Sequence, residues 1–252
     1  MKKGFLDKKK IVLLVLLALA GGFLFFQGTE MRREITNYAM GKGSYYFNGG
    51  AYNLTAAKRW YRGALWMNSS LPLAHYQLSR IYFVEGRMEE AFQEVNKELA
   101  KRPSFGRAYY MRGLIEGFRK NLDAAEADFK KIFEVGLDEY TPSLDAGGWA
   151  VYNDLSWVQF QKGEYGEMEK TAREGLRKYP HNPWLLNSLG LGLMNLKKNK
   201  EAKATFEDAL RRAEMLSAED VRRAYPGNDP AGWEDKRRAI IRQIRFNQTL
   251  VR

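Results

Sequence analysis

The sequence predicts an all-α chain: one apolar helix at the N-terminus, then a solenoid of about five helix-turn-helix units, then a C-terminal capping helix. Three observations carry this. Ile11 to Phe26 is an uncharged, largely apolar run. A small or compact residue that opens a helix recurs along the remainder at a spacing of 34 residues. Prolines are few, seven in 252 residues with none before Pro72, which favours long helices over many short strands.

As a helix the run Ile11 to Phe26 spans about 24 Å, a little short of the roughly 30 Å hydrocarbon core of a bilayer. Gln27, Gly28 and Thr29 extend it without charge, and Lys9 and Lys10 can snorkel at the other end. Segment 11–29 is therefore expected to be a transmembrane signal anchor. The competing reading is a cleaved signal peptide, since Ala18-Leu19-Ala20 fits the small-x-small pattern. Cleavage there would leave Gly-Gly-Phe-Leu-Phe-Phe as a sticky new terminus. Lys2, Lys3, Lys8, Lys9 and Lys10 precede the run, against Arg32, Arg33 and Lys42 after it. That excess puts residues 1–10 in the cytosol and the chain beyond about Thr29 outside it, on the plasma or inner membrane.

The repeat is read from columns. Ala57, Ala91, Ala125, Met168 and Ala202 each open a second helix, with spacings of 34, 34, 43 and 34. Four residues later come Tyr61, Val95, Phe129, Ala172 and Phe206. Twelve residues earlier, in units two to five, come Ser79, Gly113, Ser156 and Gly190. A small residue on one helix lets its partner approach, and a bulky one fills the gap. Pro103 and Pro180 stop the second helices of units two and four.

These columns resemble the tetratricopeptide repeat, whose unit is 34 residues. Ala74 to Tyr82 matches its first-helix pattern, with His75 in an aromatic slot and Ser79 for the glycine. Tyr152, Leu155 and Ser156 match it in unit four, Leu189 and Gly190 in unit five. The resemblance implies a right-handed α-solenoid with repeats at about 36–70, 72–105, 106–138, 149–182 and 183–216. Departures are Gly49-Gly50 in unit one, Glu116 for an aromatic, Lys197 for the turn glycine, and an insertion at about 138–147 with Pro142 and Gly147-Gly148, expected to form a surface loop or hinge. Residues 217–252 are expected to cap the stack. A helix start is read at Ser217, and Asp229 and Pro230 are read as the cap and first turn of a last helix.

Chemistry is poorly supplied. With no cysteine and only His75 and His181, disulfides, thiolate sites and histidine catalysis lack material. No phosphate-binding glycine loop occurs: Gly190-Leu191-Gly192 is a packing column. No cofactor, metal or enzymatic activity is expected. The net charge of +11 is spread among acids, which suits a solvated helical surface, with anionic headgroups as a secondary attraction and nucleic acid not expected.

The resemblance implies instead a concave groove lined by first helices. It places there Tyr76, Arg80 and Phe83 from unit two, and Arg107, Tyr110, Leu114 and Phe118 from unit three. Unit four supplies Asn153, Trp157 and Phe160; unit five supplies Trp184, Asn187, Leu191 and Met194. Aromatics with a few polar anchors suit a protein or peptide ligand. The alternative is that these aromatics fill the superhelix or pack against the C-terminal helix. The family's clamp for a peptide carboxylate is not carried over, because its slots hold Met40, Ser44, Tyr76 and Gln77. The function expected is a membrane-anchored scaffold or adaptor, or alternatively a chaperone-like accessory of export or envelope biogenesis.

Overall fold

A computed structural model describes residues 8–48, 51–136, 144–224 and 232–251, with the side chains of 8–27 and 144–147 outside that description. Twelve α-helices and no strand occur among the described residues. Helix α1 runs unbroken from Lys8 to Asn48. The rest are α2 (Leu54–Met67), α3 (Ala74–Val84), α4 (Met88–Lys101), α5 (Gly106–Phe118), α6 (Leu122–Val135), α7 (Leu144–Lys162), α8 (Tyr165–Lys178), α9 (Pro183–Asn195), α10 (Asn199–Glu214), α11 (Ala218–Ala224) and α12 (Trp233–Thr249). Ten of them form five successive hairpins, α1/α2 to α9/α10, each packed on the next. Among the described residues no helix is long and apolar enough to cross a membrane. Most of segment 11–29, expected to be an anchor, lies outside the described side chains; its backbone is part of α1.

Each hairpin closes on a small residue. A Cβ placed on Gly43 would meet the Tyr61 ring at 2.6 Å, one on Gly113 the Phe129 ring at 2.8 Å, and one on Gly190 the Phe206 ring at 2.5 Å. These distances are below van der Waals contact, so only glycine admits the ring. In unit two the column holds Ser79, whose buried hydroxyl donates to the Ala91 carbonyl at 2.8 Å. Gly43 taking this role confirms that unit one carries extra residues before its second helix.

The hairpin turns share one device as well. Tyr52, Gly86, Lys120, Gly163 and Lys197 all have positive φ, between 37° and 77°. They follow the spacing of the repeat, five residues before each small residue that opens a second helix. The backbone therefore demands the left-handed conformation at Lys197 although the residue is not glycine, at a cost of about 1 kcal/mol.

One departure read from sequence takes a different form here, and one buried carboxylate was not anticipated. Gly147 and Gly148, expected in a loop or hinge, are inside α7, which starts at Leu144. Helical glycine is unfavourable by itself, and burial of Gly148 and of Trp149 beside it offsets that. Glu98, where a small residue is usual, is buried and accepts from the backbone N–H groups of Leu73 and Tyr76 at 3.0 and 3.2 Å. A carboxylate from α4 thus satisfies the free donors at the start of α3.

At the C-terminus the hydroxyl of Ser217 accepts from the Asp220 N–H at 3.2 Å, and the Asp220 carboxylate accepts from Ser217 in return. Asp229 and Pro230, expected to start the last helix, lie outside the described residues; α12 begins at Trp233. It packs on α10 with Ile240, Ile244 and Val251 turned into the last core cluster.

Two stability changes are expected. Gly190→Ala should lower the unfolding free energy by about 1–3 kcal/mol, because the Phe206 ring must move. Lys197→Gly should raise it by about 1 kcal/mol by relieving the left-handed turn. Both are read from urea midpoints at constant slope.

Candidate partner-binding groove

First helices contact one another directly, α3 with α5, α5 with α7 and α7 with α9, and no comparably close pairing joins second helices among the described residues. The stack therefore curves toward the first helices, which line its inner face. The groove residues expected from sequence fall into two groups on that face.

Toward the C-terminal half the face is filled by the chain itself. Trp184 is buried and stacked on Trp149, with ring centroids 4.7 Å apart. Leu216, Ala224 and Ile240, from α11, α12 and the segment before them, pack against that pair. Leu191 and Met194 pack in the cluster that contains Ile240 and Ile241. Asn187 accepts a hydrogen bond from the Asn247 amide at 2.9 Å. Asn153 accepts from the Ser188 hydroxyl at 3.1 Å and donates to Asp154 at 3.1 Å, while the Tyr110 hydroxyl donates to the other Asp154 oxygen at 2.5 Å. Gln243 donates to Asn247. One set of hydrogen bonds thus joins α5, α7 and α9, and a second, beginning at the residue before Ser188, joins α9 to α12. The two asparagines, expected as anchors for a ligand, are engaged in these bonds.

Toward the N-terminal half the inner face is open. Phe83 meets Phe118 edge-on at 5.2 Å, and Phe118 is 62% exposed. Trp157 is 39% exposed and lies on Gly117, so close that a Cβ there would sit 3.1 Å from the indole. The Lys120 amine stands 5.9 Å from the same ring. The Phe83–Phe118 pair and Trp157 thus both meet the C-terminal end of α5 and make an aromatic strip drawn from three units. Beside it the Arg80 guanidinium covers the Phe47 ring at 4.7 Å and donates to Gln77. Tyr76 is buried edge-on against Phe105 and Leu114 turns into the core. Phe160 packs against Tyr165, and Arg107 sits half-buried at the start of α5.

Sequence reading did not single out Asp154, Ser188 or Trp149. Asp154 and Ser188 stand 34 residues apart, each directly after a groove asparagine, and that column was the available signal. His75, assigned to packing, has its Nδ1 2.6 Å from the Glu94 carboxylate. Among the described residues no group of three or more His, Asp or Glu side chains is placed to hold a metal ion.

The tetratricopeptide repeat family model matches residues 106–135 and 185–214, the α5/α6 and α9/α10 hairpins. These two hairpins match the tetratricopeptide repeat. Solved structures with a similar fold include pilF of Pseudomonas aeruginosa, at 17% identity and a TM-score of 0.62 over 84% of this chain and 90% of that one. PilW, described as a widely conserved type IV pilus biogenesis factor, aligns at 18% identity and 0.62, covering 85% and 91%. YrrB, a tetratricopeptide protein with an unusual peptide-binding site, aligns at 14% and 0.52, covering 75% and 91%. Identities this low establish a shared fold and no more. No curated protein matches the sequence.

Loss of water around the Asp154 carboxyl pushes its pKa up from 3.8 to about 6. The folded state therefore holds this proton more tightly than the unfolded chain. The stability it confers is full below pH 3.8 and is lost as pH rises through 6, by at most about 3 kcal/mol. Asp154→Asn should abolish that part of the decline between pH 4 and 7, measured by chemical unfolding at each pH. The Tyr110 hydroxyl can rotate to accept from the new amide.

Proposed function

We propose that the protein is a membrane-tethered, non-enzymatic adaptor that captures an apolar segment of a partner protein along the open half of its inner face. The observation that carries this is the Phe83–Phe118–Trp157 strip. Phe83 and Phe118 are in contact and Trp157 lies on the residue before Phe118, with Phe118 and Trp157 exposed, while the part of the same face around Trp149 and Trp184 is covered by the chain's own C-terminal helices. A chain that buries aromatics with α11 and α12 in one part of this face, and leaves Phe118 and Trp157 exposed in the other, has surface reserved for a ligand. Lys120 at the edge of the strip favours acidic residues flanking the bound segment.

The tether is segment 11–29, with residues 1–10 in the cytosol and the repeats outside it, supported by the apolar run and the lysines before it. PilW is described as a type IV pilus biogenesis factor and YrrB by a peptide-binding site. Both descriptions suit an envelope assembly role for this chain, either as adaptor for one complex or as a chaperone-like accessory with many clients.

The test is photo-crosslinking in cells from Phe118 and Trp157, with Lys203, exposed on α10, as the control. One discrete adduct from both aromatics and none from Lys203 supports the adaptor; a smear of adducts supports the accessory. No adduct at either aromatic would overturn the groove. Once a partner is isolated, Phe118→Ala with Trp157→Ala should weaken its binding at least tenfold, with little change in melting temperature.

A further inference from the structure

The outer flank of α1 carries a second surface, separate from the groove. Met31, Ile35, Tyr38 and Tyr45 are exposed along it, and a Cβ on Gly28 would meet nothing within 4 Å. With Lys42 these positions alternate steps of three and four residues, 28, 31, 35, 38, 42 and 45. In the sequence the same frame continues upstream through Leu24, Gly21, Leu17 and Leu14. The ten positions include no acid and one cation, within a helix that has no break from Lys8 to Asn48.

A mean step of 3.5 residues is the signature of a helix paired with another helix, because it holds one seam toward a partner where an isolated helix would drift. Gly21 and Gly28 would let two backbones approach, as small residues do between helices in lipid. Lys42 sits 5.5 Å from the Tyr38 ring and can lie along the seam with its amine at the edge. The far end of the solenoid is covered by α12; among the described residues no helix covers α1 of unit one in the same way.

We propose that the occupant of this flank is a second copy of the chain, with α1 pairing to α1 in parallel and in register. Like residues then meet like, so the seam is its own complement. The parallel orientation rests on the anchor reading, under which both chains enter the bilayer in the same sense.

The absence of cysteine makes the test direct. Met31→Cys, Ile35→Cys and Tyr38→Cys place single thiols on the seam, and Arg33→Cys and Asn37→Cys place them off it. The full-length variants are oxidised with copper phenanthroline in native membranes, and half of each sample is extracted with alkaline carbonate. Disulfide dimers at the seam positions, at least fivefold above the two controls, are expected. Equal cross-linking at all five sites, none at the seam, or seam adducts only to a different protein would overturn the pairing. Carbonate release reports the anchor independently: a chain retained but unlinked overturns the seam alone, and a chain released yet linked overturns only the anchor.

Discussion

The stack depends on a small residue in each first helix, which in three of the five hairpins is a glycine lying against an aromatic ring. Tyr61 on Gly43, Phe129 on Gly113 and Phe206 on Gly190 set how closely two helices approach. That distance fixes where the next hairpin begins, because each first helix packs on the pair before it. Ser79 shows the tolerance of the slot: its hydroxyl fits by donating to the Ala91 carbonyl on the facing helix. The left-handed residue in each turn then reverses the chain in a constant way, so that an error at one hairpin would be carried along the superhelix.

Much of this was legible from the columns. A small residue needed in every unit leaves a column at a fixed spacing, and Gly113 and Gly190, with Phe129 and Phe206 opposite them, are visible for that reason. Lys197 was legible as a departure, and the structure shows that the turn conformation persists without glycine. What was not legible is packing that occurs once. Gly147 and Gly148 look like loop residues because glycine is a poor helix former, and the helix there is supported by burial of Gly148 and Trp149. The cover that α11 and α12 provide for the Trp149–Trp184 pair joins residues up to about ninety positions apart and has no period. The site was therefore legible as a face, with its division into a closed and an open half hidden.

That division changes what the inner face can do. In the closed half, polar groups pair among themselves, Tyr110 with Asp154, Asn153 with Asp154 and Ser188, and Asn187 with Asn247, and little remains to recognise a ligand. The desolvated Asp154 carboxyl is a standing cost near neutral pH, accepted because it ties α5 to α7. In the open half, Phe118 and Trp157 offer flat apolar area with few competing internal bonds. Rigid aromatics lose little freedom on binding, so such a surface can be used without reorganising the frame behind it.

Helix α1 belongs to two neighbourhoods at once, since its last third is the first helix of the solenoid and its first two thirds extend away as one piece. A helix of 41 residues is about 60 Å long and stiff over that length. It is therefore a mast with no swivel at its foot. Any tilt or twist imposed on residues 8–27 is delivered to the whole superhelix, and the direction in which the aromatic strip looks is decided by how that distant segment is held.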